Sequence, residues 1–359
     1  MPRAGWHIAC ALLLLLLPEA GAFTGSFLPA QRSRVAATTA GVSMALSPDG
    51  FRGSILVVGA TGLVGGEVAR LLAEHGIATH ALARDAGRAR QILPAGVNIL
   101  RGDLGDQESL LAALRTSGAE RMFVATHRPA SAKGPTQAEL EGNAYRAAAL
   151  EGVQYIVKLS TAPAVVGSPG TGVGSVHSLS EDALKECGVS WTSLRSNYFL
   201  QNVLRPGLAV GPGYTPKLLA ESPAKIRSWF ADSPISMVDS RDVALAAATL
   251  LCSSPEELAP HLSQTPSLTG PRAVTMKQVG VAFGGASGRE VRVEGADIDA
   301  GMQALAKAGV LPAPAAESLA AFLQVVGREC AEVTDTLEAL TGTPPRTLEA
   351  FAKDYADQP

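Results

Sequence analysis

Gly59, Gly62 and Gly65 recur every third residue in GATGLVG. An apolar run, Ile55 to Val58, precedes them, and apolar residues at helical spacing (Val64, Val68, Leu71, Leu72) follow. Glycine lets a backbone approach a phosphate closely, and a helix that starts there offers free N–H groups and the positive end of its dipole. Strand, glycine turn and helix together read as a cradle for the pyrophosphate of a dinucleotide. A second apolar run, Ala78 to Arg84, ends on an arginine roughly twenty residues beyond the turn, where cofactor choice is made. An arginine there pairs with the 2′-phosphate of NADP, whereas an acidic residue would hold the ribose 2′-hydroxyl of NAD. Arg84 is either that selector, with Arg88 assisting beyond Asp85, or an ordinary solvated loop residue.

Other residues able to do chemistry are scattered. Asp103-Leu104, after the run Val97 to Arg101, either flanks an adenine or starts a helix with Asp103 as its cap, before the Leu110, Leu111, Leu114 stripe. Lys158 lies inside an apolar strand, either snorkelling to a crevice rim or set against the ribose. Ser160 and Thr161 either bond cofactor or substrate or cap their loop. Cys187, before Gly188, reads as packing rather than as a nucleophile.

The elements that must position these groups alternate. After the first strand and helix come strands at Ala78–Arg84, Val97–Arg101, Arg121–Thr126 and Gln154–Ser160. A loop from His127 to Pro135 and a helix from Gln137 to Ala149 lie between the last two. Repeated strand–helix units of this kind make an α/β fold, a parallel sheet wound on both faces. This is a Rossmann domain over residues 52–204, with its ligand crevice at the carboxyl ends of the strands. Beyond Asn202 the pattern changes. Pro206, Gly207, Gly211, Pro212 and Gly213 mark loops. Then come a short strand at Ile235–Val238, a helix at Asp239–Leu251 with Ser240 as candidate cap, and a helix at Met276–Phe283 capped by Thr275. A strand at Val291–Val293 and helices at Asp297–Ala308, Ala316–Val326 and Thr347–Tyr355 complete a smaller, mixed portion over residues 205–359. That portion builds the substrate pocket.

Several stretches, in order, resemble the NmrA-like family of atypical short-chain dehydrogenase/reductases. They are GATGLVG, Gly102-Asp103-Leu104, GVQYIVKLST (Gly152 to Thr161), the helix His177 to Asn202, DSRDVA (Asp239 to Ala244) and TGTPPRTLEAF (Thr341 to Phe351). The family includes NADPH-dependent quinone oxidoreductases and non-catalytic redox sensors. The resemblance implies a cofactor site of Gly59, Thr61, Gly62, Leu63, Val64, Gly65, Arg84, Asp103 and Leu104, and NADP(H) in preference to NAD(H). It also brings Lys158 and Tyr198 near the nicotinamide or substrate.

Most short-chain dehydrogenases carry a Tyr-x-x-x-Lys pair on the helix after the fifth strand, where the lysine and cofactor lower the tyrosine pKa. Here that helix, beginning near His177, has Glu181 four residues on; Tyr145 is followed at that spacing by Ala149, and Tyr155 by Leu159. The pair is absent. A quinone accepts hydride readily and its oxygens take protons from a weak donor, so the expected activity is NADPH-dependent reduction of quinone-like or small electrophilic carbonyl substrates. The rival expectation is a non-catalytic NADP(H)-sensing regulator or assembly factor acting through a protein partner. His177 is either a replacement acid or, the reading preferred from sequence, a helix-start residue turned to water.

Charge and cysteines narrow the setting. A net charge of −3 over 359 residues gives no electrostatic case for nucleic acid. The first 22 residues read as a signal peptide, with Arg3, an apolar core from Ile8 to Leu17 and a small-residue exit after Pro18; that core is too short to span a bilayer comfortably, and no membrane span is expected in the mature chain. Residues 23–48 are transit-peptide-like, with no acidic residue between Glu19 and Asp49. Signal, Phe23 and acid-free segment resemble the bipartite plastid leaders of algae with secondary plastids; plain secretion is the alternative. Cys10 belongs to the leader, and Cys187, Cys252 and Cys330 form neither a disulfide framework nor a metal-ligand spacing. A plastid protein should start within Val35 to Ser47 when its mature N-terminus is sequenced, and Phe23→Ala should divert it. A chain beginning near Phe23 and recovered outside the cell would establish secretion.

Overall fold

The computed structural model describes residues 50–127, 134–168, 170–204 and 224–356. The leader, most of the loop after His127 and the Pro206 to Gly213 loops lie outside the described residues. The apolar run after Gly53 is β1 (Ser54–Val58), followed by α1 (Leu63–Glu74), β2 (Ala78–Ala83), α2 (Ala86–Ile92), β3 (Asn98–Arg101), α3 (Gln107–Ser117) and β4 (Arg121–Val124). Then come α4 (Gln137–Leu150), β5 (Tyr155–Thr161), α5 (Pro163–Val166), α6 (Gly172–Glu186) and β6 (Ser190–Ser196). The remainder is β7 (Ala224–Ser228), α7 (Ser240–Cys252), α8 (Pro255–Leu258), β8 (Ser267–Leu268), α9 (Met276–Ser287), β9 (Val291–Gly295), α10 (Ile298–Lys307), α11 (Ala313–Glu329), α12 (Thr336–Thr341) and α13 (Leu348–Ala356).

Seven strands form one parallel sheet in the order β3-β2-β1-β4-β5-β6-β8, while β7 and β9 pair separately. The order reverses between β1 and β4, where Val58 stands opposite Leu82 on one side and Val124 on the other. Such a switch point opens a crevice at the carboxyl ends of the strands. The fold is thus the doubly wound α/β sheet expected.

Period-two alternation sorts β1 between two cores. Ile55 and Val57 pack with Val64, Val68 and Leu72 of α1 and with Val243, Ala247 and Leu251 of α7. Leu56 and Val58 pack on the other face with Leu110 and Leu114 of α3 and with Ala144, Tyr145 and Ala148 of α4. A third core, with Phe230, Phe283, Leu323 and Phe351, belongs to the C-terminal lobe. Burying each of the Ile, Val, Leu and Phe side chains among these stabilises the fold by about 1.5–3 kcal/mol.

The boundaries follow cap chemistry, and several differ from expectation. Asp106, not Asp103, caps α3, accepting from the N–H groups of Glu108 and Ser109. Thr171 accepts from Gly174 N and starts α6 five residues before His177, which therefore sits in the second turn. Cys187 ends α6 and Gly188, at φ 78°, turns the chain into β6, so the stretch to Asn202 is helix and then strand. Ile235 to Val238 is not a strand: only isolated bridges from Ile235 to Val274 and from Phe199 to Val238 form there. Asp239, not Ser240, caps α7 through Arg241 N.

DSRDVA is a structural knot. Buried Asp239 accepts from Gln201 Nε2 at 2.6 Å and pairs with Arg241 at 2.6 Å. Arg241 also reaches Asp354 at 2.7 Å, and the Asp242 carboxylate holds both the guanidinium and the backbone N–H of Arg346. These contacts fasten the tail TGTPPRTLEAF to α7.

At the opposite end of the sheet, buried Arg121 donates to the carbonyls of Leu251 at 3.0 Å and Ser253 at 2.9 Å. Its guanidinium lies 4.0 Å from the centre of the Phe51 ring. A cation there satisfies carbonyls left open at the C-terminus of α7 and meets the negative end of its dipole. Arg121→Ala strands those acceptors and should cost about 2–3 kcal/mol in urea unfolding. A loss under about 0.5 kcal/mol would mean water replaces the guanidinium.

Candidate functional site

The glycine turn sits at the switch point, and sterics account for two of its three glycines. Gly59 has φ +84°, and a Cβ on it would lie 1.8 Å from the Ala125 carbonyl oxygen just past β4. A Cβ on Gly65 would lie 2.4 Å from the Gly59 oxygen, so α1 can start this close to β1 only without a side chain there. Gly62 differs: its φ is −87°, and a Cβ would meet only the Gly59 oxygen at 3.1 Å. It is exposed, as is Thr61. Gly62 is also the N-cap of α1 and supplies no side-chain cap, whereas Asp85, Asp106, Thr136 and Thr171 cap α2, α3, α4 and α6. The first N–H groups of α1 are therefore offered to something other than this chain's own side chains, which fits a pyrophosphate. Val64 is in the core, so only its backbone can serve such a ligand; Leu63 is half-buried.

Arg84 is exposed directly after β2 and makes no ion pair or side-chain hydrogen bond among the described residues. Asp85 beside it is committed to capping α2, accepting from Arg88 N at 2.9 Å. Asp103 is exposed after β3, its carboxylate accepting from Gly105 N at 2.9 Å, and Leu104 is fixed by Asn143 Nδ2, which donates to its carbonyl at 2.7 Å. Arg101, which the sequence reading passed over, stands opposite Ala83 in the parallel register and is exposed.

The candidates for chemistry divide. Lys158 neither snorkels nor reaches a rim: it is fully buried, its ammonium 3.4 Å from the equally buried Glu141 carboxylate and 3.1 Å from His177 Nδ1. Its remaining donor goes to the Leu159 carbonyl at 3.0 Å. Glu141 also accepts from Thr126 Oγ1 at 2.5 Å, Gln137 Nε2 at 3.1 Å and Tyr145 at 3.3 Å, besides Ser180 Oγ. Burial pushes its carboxyl up, but the Lys158 ammonium and the Ser180 and Thr126 hydroxyls outweigh that and hold it below the usual carboxylate range.

His177 is thus not a residue turned to water. Burial first, then the Lys158 ammonium and His127, lower its pKa to about 3 against the opposing pull of Glu141 and Glu181, so the ring is neutral. Glu181 is bound by Arg195 at 2.6 Å, Ser160 at 2.7 Å and Ser193 at 2.9 Å. The structure joins Lys158 to His177 and seats Tyr198 in the C-terminal core, its ring edge-on to Phe230 at 5.7 Å. The Tyr198 hydroxyl is buried, and burial pushes the phenol well up against the opposing effect of Asn202. Burial likewise raises the Cys187 thiol, as suits packing. Glu141 escaped the sequence reading, although its place four residues before Tyr145 put both on one helix face.

Among the described residues no helix is long and apolar enough to cross a membrane, and no group of His, Cys, Asp and Glu could hold a metal ion. The profile of the NmrA-like family matches residues 52–352. An NAD(P)H azoreductase of Xenophilus azovorans is 31% identical over 306 residues, covering 84% of this chain and 98% of that protein. A (4-alkanoyl-5-oxo-2,5-dihydrofuran-3-yl)methyl phosphate reductase of Streptomyces griseus is 32% identical over 307 residues, covering 84% and 98%. The structure of an NADPH-dependent quinone oxidoreductase from Escherichia coli, complexed with NADPH, shares the fold at a TM-score of 0.65 and 24% identity, covering 83% and 98%. The chain's cofactor is thus of NAD(P) type.

The three glycines should separate in mutagenesis. Gly62→Ala keeps an allowed backbone and should leave the urea midpoint nearly unchanged while weakening cofactor binding at least about tenfold, because the new methyl stands where the pyrophosphate approaches. Gly59→Ala and Gly65→Ala should instead lower the midpoint. Undiminished binding by a folded Gly62→Ala would remove the cradle from the cofactor site.

Proposed function

The chain belongs to the NmrA-like family, and on that premise we propose that it is an NADPH-dependent reductase of quinone-like or other small electrophilic carbonyl acceptors. The observation carrying this reading is the uncapped, glycine-walled start of α1 at the switch point, with exposed Arg84 directly after β2. The N–H groups around Thr61, Gly62, Leu63 and Val64 hold the pyrophosphate. Arg84 meets the 2′-phosphate, and Asp103 and Leu104 flank the adenine. With Asp85 engaged as a cap, no free carboxylate directly beside Arg84 competes for a ribose 2′-hydroxyl. When bound, the reduced nicotinamide supplies a hydride.

Acceptor choice follows from what α6 lacks. Glu181 stands where a lysine would lower a tyrosine pKa, and Arg195 neutralises it. Acceptors that leave an unstabilised alkoxide are disfavoured; those whose reduced oxygen is stabilised by an adjacent π-system are favoured. The relatives' names, an azoreductase, a reductase of an acyl-furanone phosphate and a quinone oxidoreductase, support electron-poor acceptors. Read as bipartite, the leader assigns the reaction to a plastid.

Titration with both cofactors tests the selector. Arg84→Ala should lose about 1.5–3 kcal/mol of NADPH binding, roughly ten- to a hundredfold, with NADH hardly affected. Equal loss for both would sink the assignment. In a screen of quinones and simple ketones, NADPH oxidation should proceed with quinones and be very slow with unactivated ketones. Tight NADPH binding with no acceptor reduced would identify a non-catalytic NADP(H)-sensing regulator or assembly factor.

A further inference from the structure

A fully buried ion pair needs a reason, because stability alone does not supply one: replacing such a pair by apolar side chains is often neutral or favourable. Glu141 and Lys158 have no exposed surface, yet His177, bonded to the same ammonium, retains some. The cluster is continuous with the nucleotide cradle. Gly59 abuts Ala125, the next residue Thr126 bonds Glu141, and Glu141 pairs with Lys158.

The hydrogen-bond inventory settles which ring nitrogen carries the proton. A lysine ammonium has three donors and no acceptor. Here its three neighbours are the Glu141 carboxylate, the Leu159 carbonyl and His177 Nδ1, so Nδ1 must accept. A neutral imidazole that accepts at Nδ1 carries its proton on Nε2.

We infer that His177 donates its Nε2 proton to the oxygen of the acceptor during reduction, and that Lys158 is the positioning residue that fixes this tautomer and refills the ring through Nδ1. The inference rests on the reductase reading above. Reducing a quinone to a hydroquinone takes one hydride, supplied by the cofactor, and one proton. That proton leaves Nε2 for the reduced oxygen while one N–H of Lys158 passes to Nδ1. The imidazole stays neutral throughout, and Lys158 is left as an amine beside the Glu141 carboxylate. Solvent then restores Nε2 and the Nδ1 proton returns to Lys158. Glu141 keeps the store charged between turnovers, and Ser180, Thr126 and Tyr145 hold Glu141 in place. The other titratable groups bearing on His177, Glu181 and His127, do not break the path: Glu181 is neutralised by Arg195, and exposed His127 opposes a charged ring.

Histidine-labelled protein without cofactor gives the first readout. In nitrogen NMR, with His177→Gln to assign the signal, His177 should remain the Nε2–H tautomer from about pH 5 to about pH 9. In the paired variant Lys158→Met/Glu141→Gln, which leaves no unpaired buried charge, it should become a mixture of tautomers. An Nδ1–H tautomer in the wild type, or titration near an ordinary histidine pKa, overturns the inference.

The second readout is kinetic, with a quinone that the wild type reduces. His177→Gln should lower kcat about a hundredfold, with NADPH binding unchanged, as loss of a general acid does. Added imidazole should rescue part of the His177→Ala rate, which a structural role would not allow. A His177→Gln rate within about threefold of the wild type overturns the inference while leaving the reductase reading intact. A wild type that reduces no acceptor defeats the reductase reading, and the donor role with it, whatever the tautomer.

Discussion

The fold turns on a close approach of backbone to backbone. Gly59 leaves β1 with its Cα against the Ala125 carbonyl, and Gly65 brings α1 against Gly59 in turn. Any side chain at either place would push β1, β4 and α1 apart. Because they do not part, α1 starts directly over the point where the strand order reverses, with its dipole aimed into the crevice. Gly62, at the same turn, has ordinary backbone angles and an open face. One turn thus holds two glycines that the fold requires and one whose face is left open.

Behind that turn the interior is unusually polar. The effective desolvation penalty of an ion pair in a protein interior is several kcal/mol per ion. Around Glu141 the chain offsets it with Lys158 and four neutral donors drawn from β4's end, α4 and α6. Glu181 repeats the device one turn along α6, with Arg195, Ser160 and Ser193. Two carboxylates on neighbouring helices, each saturated with donors, set a polar patch into a face that is otherwise packed with apolar side chains.

Legibility in the sequence tracked the range of the interaction involved. Strands β1 to β5 and the glycine turn were readable because their signals are local: apolar runs, glycine spacing and one strand–helix period. Thr275 as the cap of α9 was readable for the same reason, its partner Gln278 being three residues away. β6 was missed although Cys187-Gly188 signals a helix stop, because SWTSLRS has too few apolar residues to announce a strand; neighbours on both sides support it. His177 was misread because its environment is assembled from distant segments. Nothing within four residues of it reveals Lys158, which is 19 positions earlier, or Glu141 on another helix. A solvated histidine and a desolvated one look alike until the sheet is built.

The clasp between α7 and the tail bears on how the crevice can move. Arg346 and Asp354 bind residues at the start of α7, while α13 itself packs against α9 through Phe351 and Phe283. α12 adds Leu337 to the core beneath α7, and Asn197, just after β6, reaches Ser236 and the Cys330 carbonyl. A hinge needs a few crossing segments free to change their dihedrals. Here the sheet and the C-terminal lobe are laced together at both ends of the lobe. The two lobes are therefore coupled at these points, and any change in the width of the crevice has to come from segments outside these contacts.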